Sequence, residues 1–233
     1  MILKKFLNSF EKKINYKFKN ISILTQSLTH PSYYNDNKFE KLNSQFERLE
    51  FLGDRVLGLT IASLLFNKFK SINEGDLSKK YSYLVQKNFL FKIAIDLSID
   101  KILLYNFKKN NKKMYISILS DSVESLIGAI YIDGGYKSSS NFIKKYWETY
   151  IDIEVSDILD PKTKLQELSQ KILRKLPEYK LIKKEGPSHS PIFTIQLKVL
   201  DLKLINATGE SIREAEKNAA EIALQRINEK KIT

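Results

Sequence analysis

The hydrophobic period of this chain changes at Asp160-Pro161. Before that point apolar residues recur at spacings of three and four, in "FKNISILTQSLTH", "FERLEFLGDRVLGLTIASLLFNKF", "DLSKKYSYLVQKNFLFKIAIDL" and "SDSVESLIGAIYID". That is the rhythm of helices burying one face. After it comes one more helical pattern, "PKTKLQELSQKILRK". Short runs then alternate apolar and polar residues, in "EYKLIKKEG", "PIFTIQLKVL" and "LKLINATG", and the alanine-rich "SIREAEKNAAEIALQRINEKK" closes the chain. Alternation of period two is a strand signal, and a helix-period pattern does not settle as a strand. The chain is therefore expected to hold two domains. The first, residues 1–151, is all-α. The second, residues 161–231, is α+β with the order α-β-β-β-α. The acidic stretch 152–160, ending in Asp-Pro, reads as the linker between them.

Breaks in the first domain fall at "HPSYYNDNK", "SINEGD", "NFKKNNKK" and "DGGY", which hold turn and cap residues. Asn73 or Ser71 is placed to cap the helix that starts near Glu74.

Of 233 residues, 42% are hydrophobic, enough for a normal core. There is no cysteine, which excludes disulfides and thiolate metal sites. No run of eighteen apolar residues suggests a membrane span, and "MILKKFLNSFEKK" lacks the features of a signal peptide. A cytoplasmic protein with no membrane partner is the expectation. The net charge of +12 points to a polyanion, either nucleic acid or an anionic membrane face. A general lysine bias of the source would also produce it. The basicity is concentrated: residues 161–233 carry 15 Lys and Arg against 9 Asp and Glu, while residues 1–160 carry 24 against 18. The smaller segment has about twice the net charge per residue, so it is the better polyanion contact.

Acids stand where an apolar helix gains nothing from them. Glu47, Glu50 and Asp54 lie at i, i+3 and i+7, on one face of "ERLEFLGD". Asp121 and Glu124 are three apart on another apolar helix. If the two helices pack together, Glu50, Asp54, Asp121 and Glu124 could meet, and four unpaired carboxylates would repel strongly. A divalent cation resolves the repulsion. An all-oxygen donor set favours Mg²⁺, with Mn²⁺ as a substitute, over Zn²⁺. Such a site activates water against a phosphodiester. The plainer alternative leaves these acids on solvated faces, or paired with Arg48, Arg55 and nearby lysines.

"ERLEFLGDRVL" resembles the signature segment of the bacterial ribonuclease III family, and "LTHPSY" and "SDSVESLIGAIYIDGG" resemble its other hallmark segments, in the expected order. The last seventy residues are similar to a double-stranded-RNA-binding domain through "KLQELSQK", "GPSHSPIFTIQL" and "SIREAEKNAA". The resemblance covers nearly the whole chain. It implies an all-α endonuclease domain followed by the RNA-binding domain, and a homodimer whose two sites each cut one strand of an RNA duplex. Products would carry 5′-phosphate and 3′-hydroxyl ends with short 3′ overhangs, and rRNA and mRNA precursors would be the broad substrate class. The metal ligands it implies are Glu50, Asp121 and Glu124, and the residues most directly tied to catalysis are Asp54 and Glu124. Glu47 and Glu74 would lie near the site or the dimer interface. Phe51 would be an interface residue or an ordinary core Phe.

A-form RNA presents 2′-hydroxyls in a shallow minor groove and hides base edges in a deep major groove. By the same resemblance, Gln166 and Glu167 would reach one minor groove and His189 the next. Ser211, Arg213 and Lys217 would meet phosphates at a helix start, where free N–H groups favour anions. The chain departs from a Gly-rich, lysine-rich run at "ATGESIRE": Ala207 stands at the first Gly position, Ile212 at a basic one, and Glu210 and Glu214 add negative charge. Weaker phosphate contact and a shallower salt dependence are expected. His30, followed by Pro31, reads as structural. Gly53 and Gly128 serve either a close helix approach or room for RNA or metal. Two other functions fit the charge: a duplex-RNA-binding protein with an inert nuclease-like domain, and a structural ribonucleoprotein component. The first would be expected to lose some of the acids, and the second would need no Mg²⁺.

Overall fold

The computed structural model describes residues 2–34, 45–106, 111–187 and 189–232. Parts of two sequence breaks, at residues 35–38 and 107–110, and Ser188 in the "GPSHSP" loop lie outside the described residues. The chain divides into two compact units, Met1–Ile153 and Glu154–Thr233.

The first unit is helical. Helix α1 spans Ile2–Ile14, α2 Ile21–Ser27, α3 Phe46–Lys68, α4 Glu74–Val85, α5 Lys87–Asp96 and α6 Lys112–Ile151, with short 3₁₀ turns at Pro31–Tyr34 and Ile99–Lys101. The apolar pattern 76–97 suggests one helix, but the chain breaks at Gln86, whose extended backbone ends α4 and starts α5. The break lets Leu84, Phe89 and Leu90 all reach the core. Asn73 is the cap of α4: its side-chain oxygen accepts the amide of Asp76 at 2.9 Å. Helix α6 is two helical segments joined at Gly135, where φ is +74°. That is a left-handed conformation glycine adopts at little cost, and it falls in the "DGGY" break.

Asp133, two residues before the joint, holds the entry to α2. Its carboxylate accepts the amides of Lys19 at 3.0 Å and Asn20 at 2.9 Å, and the Tyr16 hydroxyl at 2.7 Å. Burial alone would raise its pKa, but these donors outweigh burial and hold it below the ordinary value of 3.8. Burial, and then the same carboxylate, push the Tyr16 hydroxyl well up.

Helix α6 runs through the core, with Leu119, Val123, Leu126, Ile127 and Ile130 all fully buried. It is the helix among the described residues whose length and hydropathy would suit a membrane, yet 61% of that apolar window is buried inside the protein. Trp147 is 0% exposed, and its indole N–H donates to the Leu84 carbonyl at 3.0 Å. Burial of this order is worth about 1.5–3 kcal/mol per large side chain.

The second unit begins with one helical turn, α7 (Val155–Ile158), inside the stretch read as linker. Helix α8 (Pro161–Leu173) follows, with Asp160 capping the Lys162 amide and Pro161 at the first helical position. Strands β1 (Glu178–Glu185), β2 (Ile192–Lys198) and β3 (Ile205–Gly209) form an antiparallel sheet in the order β1-β2-β3, and α9 (Ile212–Ile232) closes the unit. Alternation puts Ile195 and Leu197 of β2 and Ile205 and Ala207 of β3 on the buried side. Leu197, Ile205 and Ala207 share a core with Leu165 of α8 and with Ala219, Ala220 and Ala223 of α9, whose small side chains let that helix lie close.

Candidate metal centre and nucleic-acid face

Two glycines place the acids. A Cβ on Gly53 would stand 1.8 Å from the backbone oxygen of Glu124, and one on Gly128 would stand 2.1 Å from that of Leu49. Helices α3 and α6 therefore cross in backbone contact, and neither position tolerates a side chain. Both glycines serve close helix approach. Gly53 lies between Glu50 and Asp54 on one face of α3, and Gly128 lies one turn after Glu124 on α6. The crossing that needs the glycines is what brings the acids together. The buried Ser125 adds a hydrogen bond from its hydroxyl to the Phe46 carbonyl at 3.2 Å across the same contact.

One carboxylate oxygen each of Glu50, Asp121 and Glu124 lies within 4.8 Å of the others. All three side chains are half-buried. Burial, then the Asp121 charge, with smaller contributions from Glu47 and Asp54, push the Glu50 carboxyl up to about 7, against the opposing pull of Lys87. Burial, then Asp54, Glu50 and Asp121, push Glu124 up to about 8, again opposed by Lys87. The donor set is all oxygen, compact and short of positive charge, which fits a hard divalent cation. Asp54 is ion-paired with the neighbouring Arg55 but contributes to the Glu124 shift, so it stands beside the cluster.

The other acids fall elsewhere. Glu47 is exposed and acts on Glu50 through charge alone. Glu74, at the start of α4, accepts the Ser78 hydroxyl at 2.7 Å and lines a groove with Phe66, Leu77 and Tyr81. Phe51 is 66% exposed, so within one chain it is no core residue. The Arg55 guanidinium lies 5.3 Å from its ring centre. Beside Phe51 is a groove lined by Ile23, Leu52 and Ile132. His30 is structural: its Nδ1 accepts the Ser32 amide at 3.0 Å, and its ring meets the edge of Phe46 at 5.3 Å.

Lys87 is the residue sequence reasoning missed. Its ammonium is 3.1 Å from Asp121 Oδ1 and 2.7 Å from the Ser117 hydroxyl. Thirty-four residues separate it from Asp121, and no spacing signal links them. Asp133, although inside a hallmark segment, was equally silent, because its partners are two backbone amides and a tyrosine 117 residues away in sequence.

In the second unit Gln166, Glu167, His189, Ser211, Arg213 and Lys217 are all exposed. Ser211 caps α9 by accepting the Glu214 amide at 3.1 Å, and the Glu214 carboxylate accepts the Glu210 amide at 2.9 Å. Glu214 is thus engaged in the turn itself, a close variant of a capping box. Lys217 lies 4.0 Å from Glu221 on the helix surface, a weak pairing. Ala207 is 7% exposed in the core, so its methyl fills space under the sheet. Gly209 sits where a Cβ would be 2.5 Å from the Ala215 nitrogen, so the turn into α9 is tight.

Known proteins resemble this chain over both of its units. The sequence model described as Ribonuclease-III-like matches residues 20–150, and that of the double-stranded RNA binding motif matches residues 161–227. A protein of Pelagibacter ubique named Ribonuclease 3 is 42% identical over 221 residues, covering 94% of this chain and 96% of its own length. One of Wolbachia from Brugia malayi, of the same name, is 39% identical over 223 residues, covering 95% and 91%. A crystal structure of the ribonuclease III nuclease domain from Campylobacter jejuni is 34% identical and covers 63% of this chain and 97% of its own, with a TM-score of 0.54. A second structure of that domain is 35% identical and covers 60% and 96%, with a TM-score of 0.50; its description concerns flexibility in a region involved in dimer formation.

Proposed function

This chain belongs to the ribonuclease III family, and on that premise we propose how its two units divide the cutting of double-stranded RNA. The family makes it an endoribonuclease for duplex RNA. Residues 1–151 carry catalysis and dimerisation, and residues 161–231 carry duplex binding. The meeting of the Glu50, Asp121 and Glu124 oxygens within 4.8 Å is the observation that supports the reading. Those three carboxylates hold a divalent ion, Mg²⁺ with Mn²⁺ as substitute. When bound, the ion supplies Lewis acidity for water and for the charge that builds on the phosphodiester.

The chain's own residues do the rest. Asp54 and Glu124 lie closest to the reaction, and Glu124, pushed up to about 8, would have to give up its proton to hold the ion. Asp54, held by Arg55, sets the charge that Glu124 meets. Gln166, Glu167 and His189 offer polar groups to 2′-hydroxyls, and Ser211, Arg213 and Lys217 face phosphates. The products carry 5′-phosphate and 3′-hydroxyl ends, and rRNA and mRNA precursors are the substrates, in the cytoplasm.

The dimer reading rests on the exposed apolar line Phe51, Leu59 and Phe66 along α3 and on the groove beside Phe51. A two-fold contact sets one such surface against its copy. Glu47, in that groove, and Glu74, in the groove beside Phe66, then lie at or near the interface.

The test is cleavage of a long, perfectly paired RNA by wild type and Glu124→Gln, each with Mg²⁺ and with Ca²⁺. Cleavage by wild type in Mg²⁺ alone, with both proteins binding the duplex, is expected. Wild-type rate from Glu124→Gln overturns the assignment of that residue, and binding without cleavage under every metal overturns the nuclease reading.

A further inference from the structure

The Lys87 ammonium stands against a ligand of the acid site, and its position is built rather than incidental. Its carbonyl accepts the hydroxyl of the fully buried Ser120 at 2.7 Å. Ser120 is the residue before Asp121, so the lysine's backbone is fastened to the very turn of α6 that carries the ligand. Two and three residues on, Phe89 and Leu90 are buried in the core and fix the start of α5. From this anchor the side chain folds back to Asp121 Oδ1 at 3.1 Å and to the Ser117 hydroxyl at 2.7 Å. Ser117 in turn donates to Asp121 Oδ2 at 3.2 Å. Both oxygens of Asp121 are therefore engaged by one small network. The lysine side chain is 63% exposed and that of Asp121 16%, so the ammonium sits at the rim with its partner beneath it.

We infer that Lys87 is a resident counter-ion of the acid site: it holds the Asp121 carboxylate in place and sets the affinity with which a divalent cation binds beside it. The inference rests on the metal-site reading above and deepens it. Three carboxylates without a metal lack positive charge, and the lysine supplies part of it. A divalent ion entering the cluster meets this charge as a repulsion, so loading is weaker than the carboxylates alone would make it. Such a site holds its metal exchangeably. Lys87 acts through Asp121 and the bound ion and is a positioning residue.

The test is Mn²⁺ binding to the full-length protein, read as free Mn²⁺ by electron paramagnetic resonance without RNA. Lys87→Gln keeps a hydrogen-bond donor for Asp121 and Ser117 and removes the charge. An ammonium on the order of 6 Å from a dication, screened as in water, changes its affinity by about tenfold. Lys87→Gln is therefore expected to bind Mn²⁺ about tenfold more tightly than wild type, and Lys87→Arg close to wild type. Lys92→Gln, on the same helix with its ammonium over the Tyr150 ring at 4.2 Å, controls for net charge and is expected to be unchanged. Affinity in Lys87→Gln within twofold of wild type, or weaker, overturns the inference and leaves the metal site standing. A tightening shared equally by Lys92→Gln overturns it as well. Failure of the wild type itself to take up Mn²⁺ overturns the metal-site reading and the inference with it.

Discussion

Glu124→Gln should make the metal-free protein more stable at pH 8 while removing its activity. The Glu124 carboxyl is pushed up to about 8 from an ordinary 4.5, by burial first and then by the charges of Asp54, Glu50 and Asp121. Its folded pKa is the higher one, so between pH 4.5 and 8 the folded chain holds a proton that the unfolded chain has released. Stability from this group is complete below pH 4.5 and is lost as pH rises through 8. Taken at full value the loss is about 5 kcal/mol. A partly buried group coupled to other acids keeps less than half of that, about 2 kcal/mol. Gln has nearly the same shape and never ionises. The variant should match wild type near pH 4.5 and gain steadily above it. For a domain of this size 2 kcal/mol is roughly 4–8 °C in melting temperature. Trp147 is the single tryptophan and is buried in the first unit, so its fluorescence follows that unit without the RNA-binding domain. The assay is thermal unfolding in EDTA at pH 4.5, 6 and 8, repeated with saturating Mn²⁺. Metal should then stabilise wild type by ligand linkage and the variant much less. A variant that melts below wild type at pH 8 in EDTA, or a difference independent of pH, would refute the account of repelling carboxylates.

Gly53→Ala forces a methyl to within 1.8 Å of the Glu124 carbonyl oxygen, so α3 and α6 must part. Overpacking costs about 1–3 kcal/mol or more. Melting should fall by several degrees and cleavage by more than tenfold, whereas wild-type values for both would show that the helices do not touch there. Asp133→Ala removes the acceptor for two amides and a hydroxyl and should cost about 2–3 kcal/mol at pH 7. Its carboxyl lies below 3.8, so the deficit should close only as pH falls through that range; a deficit persisting at pH 2 would mean packing, not hydrogen bonding, is lost. Phe51→Asp should sediment as a monomer at concentrations where wild type is a dimer, and an unchanged dimer would place the interface elsewhere.

What the sequence disclosed and what it hid follow from the range of each interaction. The change of period at Asp160 exposed the two fold classes, because helix and strand patterns are local, and the Asn73 cap was local too. The break at Gln86 inside 76–97 left no mark in the rhythm, because both halves carry the same apolar spacing and only the core decides that the axis must turn. The acids on α3 and α6 were legible as two separate sets, since each repeats within one helix. Their meeting depended on Gly53 and Gly128, whose role spacing left open between helix contact and room for a ligand. Backbone contact decides for the first, and it yields the second as a consequence: helices that touch at a glycine bring their flanking carboxylates within reach of one ion. Lys87 marks the limit of such reading. It reaches Asp121 because the contact of the buried Ser120 and the burial of Phe89 and Leu90 hold α5 against the core, and a lysine at the start of a short helix is indistinguishable in sequence from any solvated one. A charge that balances a site can thus come from an element with no motif of its own, and finding it requires the tertiary contact.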